Sequence, residues 1–573
     1  SDLGSGDQLW KTSSLGIDLI SGLGAGNYKF EVFFKISTNE GDKFQSNFGD
    51  NYTADFTLPY RTASVGNWSD TNTWIGSSVP PSGAEVGIIH NVTLNQNAEV
   101  SDITITTGNT LTSENGQGRT LTIQNGGTFT NNGTFTANDG NVIFQGNNVI
   151  SSSSGTIFNN VALNNSGVDF GTTSTINGNL TINSGGFVDS GSPIYGSGST
   201  LIYNSANPTE TPYQRRSEWS NAGNQGTPYN IVVQNNTAIN MGANNTTTDA
   251  VIDGNLTIDS GSSIFMDFSS DDMEAPLIVR GNFINNGTIS LSDNLNGDLK
   301  LEGNLTDNGT FNYRGRALFL EGSTDQSITT SANPYTIDVL RINKSSGEVT
   351  MNQDIIIDET GDPLQMSLQS ILNLNGNNLT IGQDGVTSQV SFTDDAALKV
   401  SDQSDLILRG SGTMGSLKFD GSTDRTTNKI RYVEIDRGSG DVSLGNQLYL
   451  KESINLTSGT LNSNGNLTFV SNDIGTAQVE EVLSGGGTIS GDVIVERFVP
   501  KSNRAFRYIS SPVNTSGTIN FNLQEGATTA SAEPNPKPGF GTHITGGSTA
   551  DGFDATSTNN PSMFEWDESS TPP

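Results

Sequence analysis

The chain has 573 residues, with 60 acidic against 27 basic side chains and a formal net charge of −33. Such a polyanion is repelled by nucleic-acid phosphate and by anionic lipid, and no apolar run nears the ~18–20 residues that cross a bilayer, so neither a nucleic-acid partner nor membrane insertion is expected. With no Cys and only two His, the chain has no disulfides, no thiolate metal site and no His-rich metal centre, and a Ser-His-Asp triad is disfavoured.

Gly is abundant at 67 residues, and Asn, Ser and Thr crowd the same segments. These are turn formers and strand-surface residues, whereas helix formers are sparse and no long stretch has helical periodicity. The expected class is all-β.

In residues 1–60, Tyr28, Phe30, Val32, Phe34 and Ile36 alternate with polar neighbours, and Tyr52, Ala54, Phe56 and Leu58 do the same. Two amphipathic strands joined by a polar loop suggest part of a β-sandwich module. Residues 61–84 form a junction in which Trp68 and Trp74 stand six apart among turn residues. Two readings apply to this pair: a hydrophobic cap over the open end of a repeat stack, or a platform on which a sugar stacks.

From 85 to 495 one motif keeps returning. Thr175-Ile-Asn-Gly-Asn-Leu-Thr-Ile182 recurs as Val251-Ile-Asp-Gly-Asn-Leu-Thr-Ile258, as Leu299-Lys-Leu-Glu-Gly-Asn-Leu-Thr306 and as Asn464-Gly-Asn-Leu-Thr-Phe469. At a period of two, Ile176, Gly178, Leu180 and Ile182 fall on one side, which reads as a half-buried strand. Gly281-Asn-Phe283 and Gly303-Asn-Leu305 are 22 residues apart, one coil of a right-handed parallel β-helix. About 18 coils stacked at ~4.8 Å would make a rod roughly 85–90 Å long. Gly and Asn at the corners would supply φ > 0, and stacked Asn side chains would hydrogen-bond from coil to coil.

Two segments break the pattern. Residues 207–230 contain Pro208, Pro212 and Pro228 and gather Tyr213, Arg215, Arg216, Glu218 and Trp219. Because Pro cannot sit in an interior strand, this segment is expected to leave the coil, either as a packed loop or as a saccharide-binding or catalytic one. Between Met266 and Glu274, the acids Asp267, Asp271, Asp272 and Glu274 could hold Ca²⁺ through oxygen, although their spacing fits no EF-hand. No other cofactor is expected. His90, at a strand end, and His543, in a Gly-rich loop, read as structural or solvated. Residues 496–573 are aromatic and Pro-rich and are read as a capping β-domain, cut off at the C-terminus.

Several stretches resemble large adhesin-like surface proteins secreted by Bacteroidota. They are Gly66-Asn-Trp-Ser-Asp-Thr-Asn-Thr-Trp74 with Val79-Pro80, the runs 370–381 and 458–469, and Gly491-Asp-Val-Ile-Val-Glu-Arg-Phe498 followed by Arg507-Tyr-Ile-Ser-Ser-Pro512. The similarity spans about 65 to 565. It implies a secreted or cell-surface protein on the outer face of a Gram-negative bacterium. It also implies export by the type IX route, with the secretion machinery as a partner during export. The sorting domain that route uses is not in this sequence, in keeping with an expectation that the chain is a piece of something longer.

The function expected from these observations is a rigid β-helical stalk or adhesin, without catalysis, that presents surfaces to polysaccharide or cell-surface glycan. Two alternatives stay open. One is a carbohydrate-active enzyme centred on 207–230. A lyase there would need a Lys or Arg base, and a glycosidase two carboxylates roughly 5–10 Å apart, for which Asp394-Asp395 or Asp271-Asp272 with Glu274 could supply acids. The other is a subunit of a surface filament or a secretion-associated complex.

Overall fold

Alternation of apolar and polar residues over short runs builds the solenoid. In Asn179–Asn183, Leu180 and Ile182 are fully buried while Thr181 stays at the surface. Such a strand buries one face only, and a copy of itself stacked above covers the apolar interior it shares. The computed structural model describes residues 23–32, 34–38, 41–45, 52–153, 155–220, 225–242, 247–421, 425–500, 506–515, 517–524 and 541–565. It is 47% strand and 2% helix, and its main body is a parallel β-solenoid of about 18 turns, a parallel β-helix. Two compact units divide the chain, 1–496 and 497–573.

The coil repeats as up to three short strands. Leu256–Ile258, Ser263–Phe265 and Leu277–Val279 make one turn. Phe283–Asn285, Thr288–Ser290 and Leu299–Leu301 make the next, each strand parallel to its counterpart. The register carries a single apolar column up the first sheet: Val161, Leu180, Leu201, Ile231, Leu256, Phe283, Leu305, Ile328 and Met351 pair in succession. Each is at most 2% exposed. At roughly 1.5–3 kcal/mol per fully buried apolar side chain, such columns are the principal source of stability.

The recurring motif is not one strand. Thr175–Ile176 belongs to one sheet and Asn179–Asn183 to another, with the chain turning at Asn177-Gly178. Alternation survives the bend because both strands bury their apolar residues in the same interior, so a period of two continues around the corner.

The stack starts ahead of residue 85. Tyr60–Arg61 pairs with Val86 and Gly87, and Gly66–Asn67 with Val92 and Thr93. Trp68 and Trp74 lie edge to face at 4.9 Å, each 1% exposed, and Trp74 Nε1 donates to the Trp68 carbonyl at 2.8 Å. Both rings are core, so neither offers a face to a sugar. Ahead of them, Gly26–Val32 pairs antiparallel with Tyr52–Leu58, and Phe34–Thr38 with Gly41–Gln45. The stack ends at Val493–Val495, which pairs with Leu467–Phe469.

In the second unit, the described residues contain the short helix Ile519–Leu523, the 3-10 turn Thr549–Asp551 and one parallel bridge, Gln524 to Thr542. Its organising contact is the Asp554 carboxylate, which accepts from the Ile544 N–H at 2.7 Å.

Candidate functional site

The corner between the third strand of one coil and the first strand of the next explains the Gly-Asn motif. Asn255 N–H donates to Asn230 Oδ1 at 2.9 Å, Asn282 N–H to Asn255 Oδ1 at 2.8 Å, Asn304 N–H to Asn282 Oδ1 at 2.9 Å, and Ser327 N–H to Asn304 Oδ1 at 2.8 Å. Each Asn side chain thus caps the backbone of the coil above. A glycine before Asn255, Asn282 and Asn304 leaves room for this. A Cβ on Gly254 or Gly281 would lie 2.6 or 2.5 Å from the Asn Oδ1 below, and one on Gly303 would lie 2.3 Å from the Gly281 carbonyl. None of the three has a positive φ, so here glycine is needed for close approach and not for a left-handed backbone. Positive φ falls at another turn, between first and second strands, where Gly126, Asn165, Gly185 and Gly261 have φ of 79°, 66°, 74° and 82°. A second ladder is purely side chain: Gln234 donates to Asn204, Asn204 to Asn183 and Asn183 to Asn164, at 3.2, 2.8 and 2.9 Å.

Among the described residues of 207–230 only Pro208, Thr209, Glu210, Thr211 and Arg216 are exposed, and Tyr213–Trp219 stays within the coil. Tyr213–Gln214 pairs in parallel with Ile239 and Asn240, and the 3-10 turn Ser217–Trp219 follows. The prolines flank the paired residues and so cost no ladder hydrogen bond. Trp219 is fully buried and donates from Nε1 to the Val251 carbonyl at 3.0 Å. Arg215 is 1% exposed, donates from Nε to the Met241 carbonyl at 3.0 Å, and stands 5.7 Å from the Trp219 ring centre. Glu218 is fully buried. Its Oε1 accepts from the Arg216 N–H at 2.9 Å and from the Tyr203 hydroxyl at 3.2 Å. Burial raises the Glu218 carboxyl above the usual range and, aided by the charge of Glu218, pushes the Tyr195, Tyr203 and Tyr213 hydroxyls well up. Arg216 lies over the Phe187 ring at 4.1 Å. The segment brings Tyr213, Arg215, Glu218 and Trp219 together as a plug in the core.

The acidic segment is a tight hairpin, Asp267–Phe268 against Asp271–Asp272, held by the fully buried Met266 and Met273 on either side. Asp267 pairs with Arg314 at 2.8 Å, and Asp271 accepts from Asn240 Nδ2 at 3.0 Å. Among the described residues no three His, Asp or Glu side chains converge as metal ligands.

One feature had no sequence signal strong enough to single it out. The sheet through Ser263–Phe265 and Thr288–Ser290 ends at Thr310–Asn312, and a new one starts at Tyr335–Ile337. Among the described residues Thr310–Asn312 has no strand partner in the next coil, where Pro334 stands just ahead of Tyr335. An open cleft of about 590 Å³ lies at this seam, lined by Phe311, Asn312, Tyr313, Arg314, Thr336 and Asp338.

Behind the cleft the Tyr313 and Tyr335 hydroxyls meet at 2.8 Å, Tyr335 donates to Asp307 Oδ2 at 2.8 Å, and Asn285 donates to Asp307 Oδ1 at 2.7 Å. Phe311 stacks on Tyr313 at 4.0 Å and 13°. Arg314, with a left-handed φ of 54°, is held by Asp267 and Asp293 and donates to Ser290 Oγ. Asp338 accepts from the Gly315 N–H at 2.7 Å, and burial, with the Glu359 charge adding to it, raises its carboxyl.

Other buried cations serve corners. Arg437 is fully buried and reaches the Ser388, Ser411 and Gly412 carbonyls from Nη2 at 2.8, 2.8 and 2.9 Å. Lys344 reaches Thr324 O at 2.8 Å and Gln326 Oε1 at 2.6 Å. His90 Nδ1 sits 3.2 Å from Thr62 Oγ1, at a corner of the first coils. Comparison with family models, with curated proteins and with solved structures finds no match to the chain. The class of the protein therefore rests on its own geometry, a parallel β-solenoid whose buried charges hold coils together.

Proposed function

We propose that the chain is a rigid, non-catalytic stalk at the cell surface that presents its outer faces to glycan. The observation that carries this reading is the long stack of coils. A solenoid of about 18 turns is consistent with a rigid stalk or surface protein, and the apolar column described above runs through nine of its coils, from Val161 to Met351. Residue types suited to catalysis are engaged in holding corners, as Arg437, Lys344 and Glu218 are. Location on the outer face of a Gram-negative cell and type IX export belong to the same reading and are supported by the sequence resemblance alone. An enzyme working through residues 207–230 would need Glu218, Arg215 and Trp219 at a surface, and all three are buried. Incubation of the whole chain with a panel of algal and plant polysaccharides is expected to release no new reducing ends or unsaturated products. Reproducible cleavage overturns the non-catalytic reading.

A further inference from the structure

We propose that the seam cleft at Phe311–Asp338 binds a segment of a neutral oligosaccharide. This assignment rests on the glycan-contact reading and gives it a place on the molecule. The second sheet stops after Phe187–Ser190, where Arg216 lies over the Phe187 ring, and again after Thr310–Asn312, where the cleft lies. The seam lies where one sheet ends at Thr310–Asn312 and another begins at Tyr335–Ile337. The depression is open to solvent, with about 590 Å³ of space over its six lining residues.

The lining has the chemistry of a pyranose partner. A sugar ring has an apolar C–H face and a rim of hydroxyls that both donate and accept. Phe311 is a half-buried ring braced from behind by Tyr313, the rigid apolar surface that a C–H face stacks on. Around it stand an amide at Asn312, a hydroxyl at Thr336, a carboxyl at Asp338 and the guanidinium of Arg314, which together supply donors and acceptors on one rim. Asn312 and Thr336 are exposed.

Charge selects a neutral ligand. The Arg314 cation is already matched by Asp267 and Asp293, so it offers no net positive charge to a uronate or sulfate. Asp338 borders the cleft, with Glu359 Oε2 3.7 Å from where a Cβ on Gly315 would stand. The chain as a whole carries −33. An anionic polysaccharide would meet repulsion both over the approach and at the site.

The test is calorimetric titration of the whole chain with cellohexaose, xylohexaose, laminarihexaose and mannohexaose, with oligogalacturonate as the anionic comparison. At least one neutral hexasaccharide is expected to bind, and oligogalacturonate to bind more weakly or not at all. Thr336→Trp fills the cleft from an exposed position, so it is expected to weaken binding at least about tenfold while leaving the melting temperature unchanged. Phe311→Ala should weaken binding similarly, and Arg216→Ala, in the 207–230 segment, should not. The assignment is overturned if no neutral hexasaccharide binds at millimolar concentration, if binding survives Thr336→Trp, or if the anionic oligomer binds best. Displacement of the sugar signal by an extended peptide but not by unlabelled sugar would also overturn it. The two readings fail separately. Cleavage abolished by Thr336→Trp would end the non-catalytic stalk and keep the cleft. A chain that neither binds nor cleaves any of the panel would end the cleft and keep the stalk.

Discussion

Glycine does two different jobs in this solenoid, and they respond differently to the same substitution. At Gly303 the obstacle is the Gly281 carbonyl, a backbone group that cannot swing aside. At Gly126 a Cβ would meet nothing within 4 Å, and the demand is a φ of 79°. Asn tolerates that conformation and cannot shrink its Cβ. Gly126→Asn is therefore expected to be near neutral, whereas Gly303→Asn should cost about 1–3 kcal/mol or more through overpacking, read as the shift in denaturant midpoint. Asparagine is graded in the same way. The exposed Asn282 caps one N–H, and Asn282→Ala should cost about 1 kcal/mol. Asn148 is 1% exposed, donates to the Gln124 and Gly127 carbonyls at 2.7 and 3.0 Å and accepts from the Gly146 N–H, so Asn148→Ala should cost about 2–3 kcal/mol. Equal losses at the two positions would refute the ladder argument.

At the scale of elements, residues 207–230 and the long C-terminal strands show how buried charge is used. Glu218 titrates above its ordinary 4.5 in the folded chain because burial disfavours its charged form. A raised folded value means the stability it contributes is complete below 4.5 and is lost as pH rises through that higher folded value. Glu218→Gln keeps the shape and cannot ionise, so thermal midpoints measured across pH should lose this falling arm in the variant. A profile identical in both proteins would show that the carboxyl is not where stability responds to pH. In Lys429–Leu444, Arg437 has carbonyl partners spread over two corners, a planar fork that an ammonium cannot copy. Arg437→Lys is expected to cost about 2–3 kcal/mol in chemical denaturation, despite keeping the charge.

For the whole molecule, the governing fact is that each coil touches only its neighbours, so stability approximates a sum of coil and interface contributions. Protection from hydrogen exchange should be greatest in the middle coils, as at Leu256–Ile258 and Leu379–Ile381, where all four Leu and Ile side chains are fully buried. It should be least in the last coils, where Ile474 and Leu483 are 90% and 73% exposed and Val493–Val495 is only half-buried or exposed. Uniform protection along the stack would contradict this. A net charge of −33 adds self-repulsion, so raising the salt from low to physiological concentration should raise the melting temperature.

Most of the solenoid was legible from the chain alone. A period of two over short runs, a 22-residue spacing between copies of Gly-Asn-Phe and Gly-Asn-Leu, and the lack of Cys and of helical periodicity dictate a stack of parallel strands, because those features act locally and repeat. Tertiary structure decided what depends on the coil below. The motif at 175–182 turns a corner, a bend that alternation alone does not show. Gly303 is needed for a carbonyl that lies 22 residues away in sequence. Tyr213–Trp219 runs into the core, since prolines beside a strand cost nothing that prolines within it would. The seam exists because the sheet ending at Thr310–Asn312 does not continue into Tyr335–Ile337, a break between coils. Sequence records which residues repeat, whereas register between distant coils decides where the repeat is tight and where it opens.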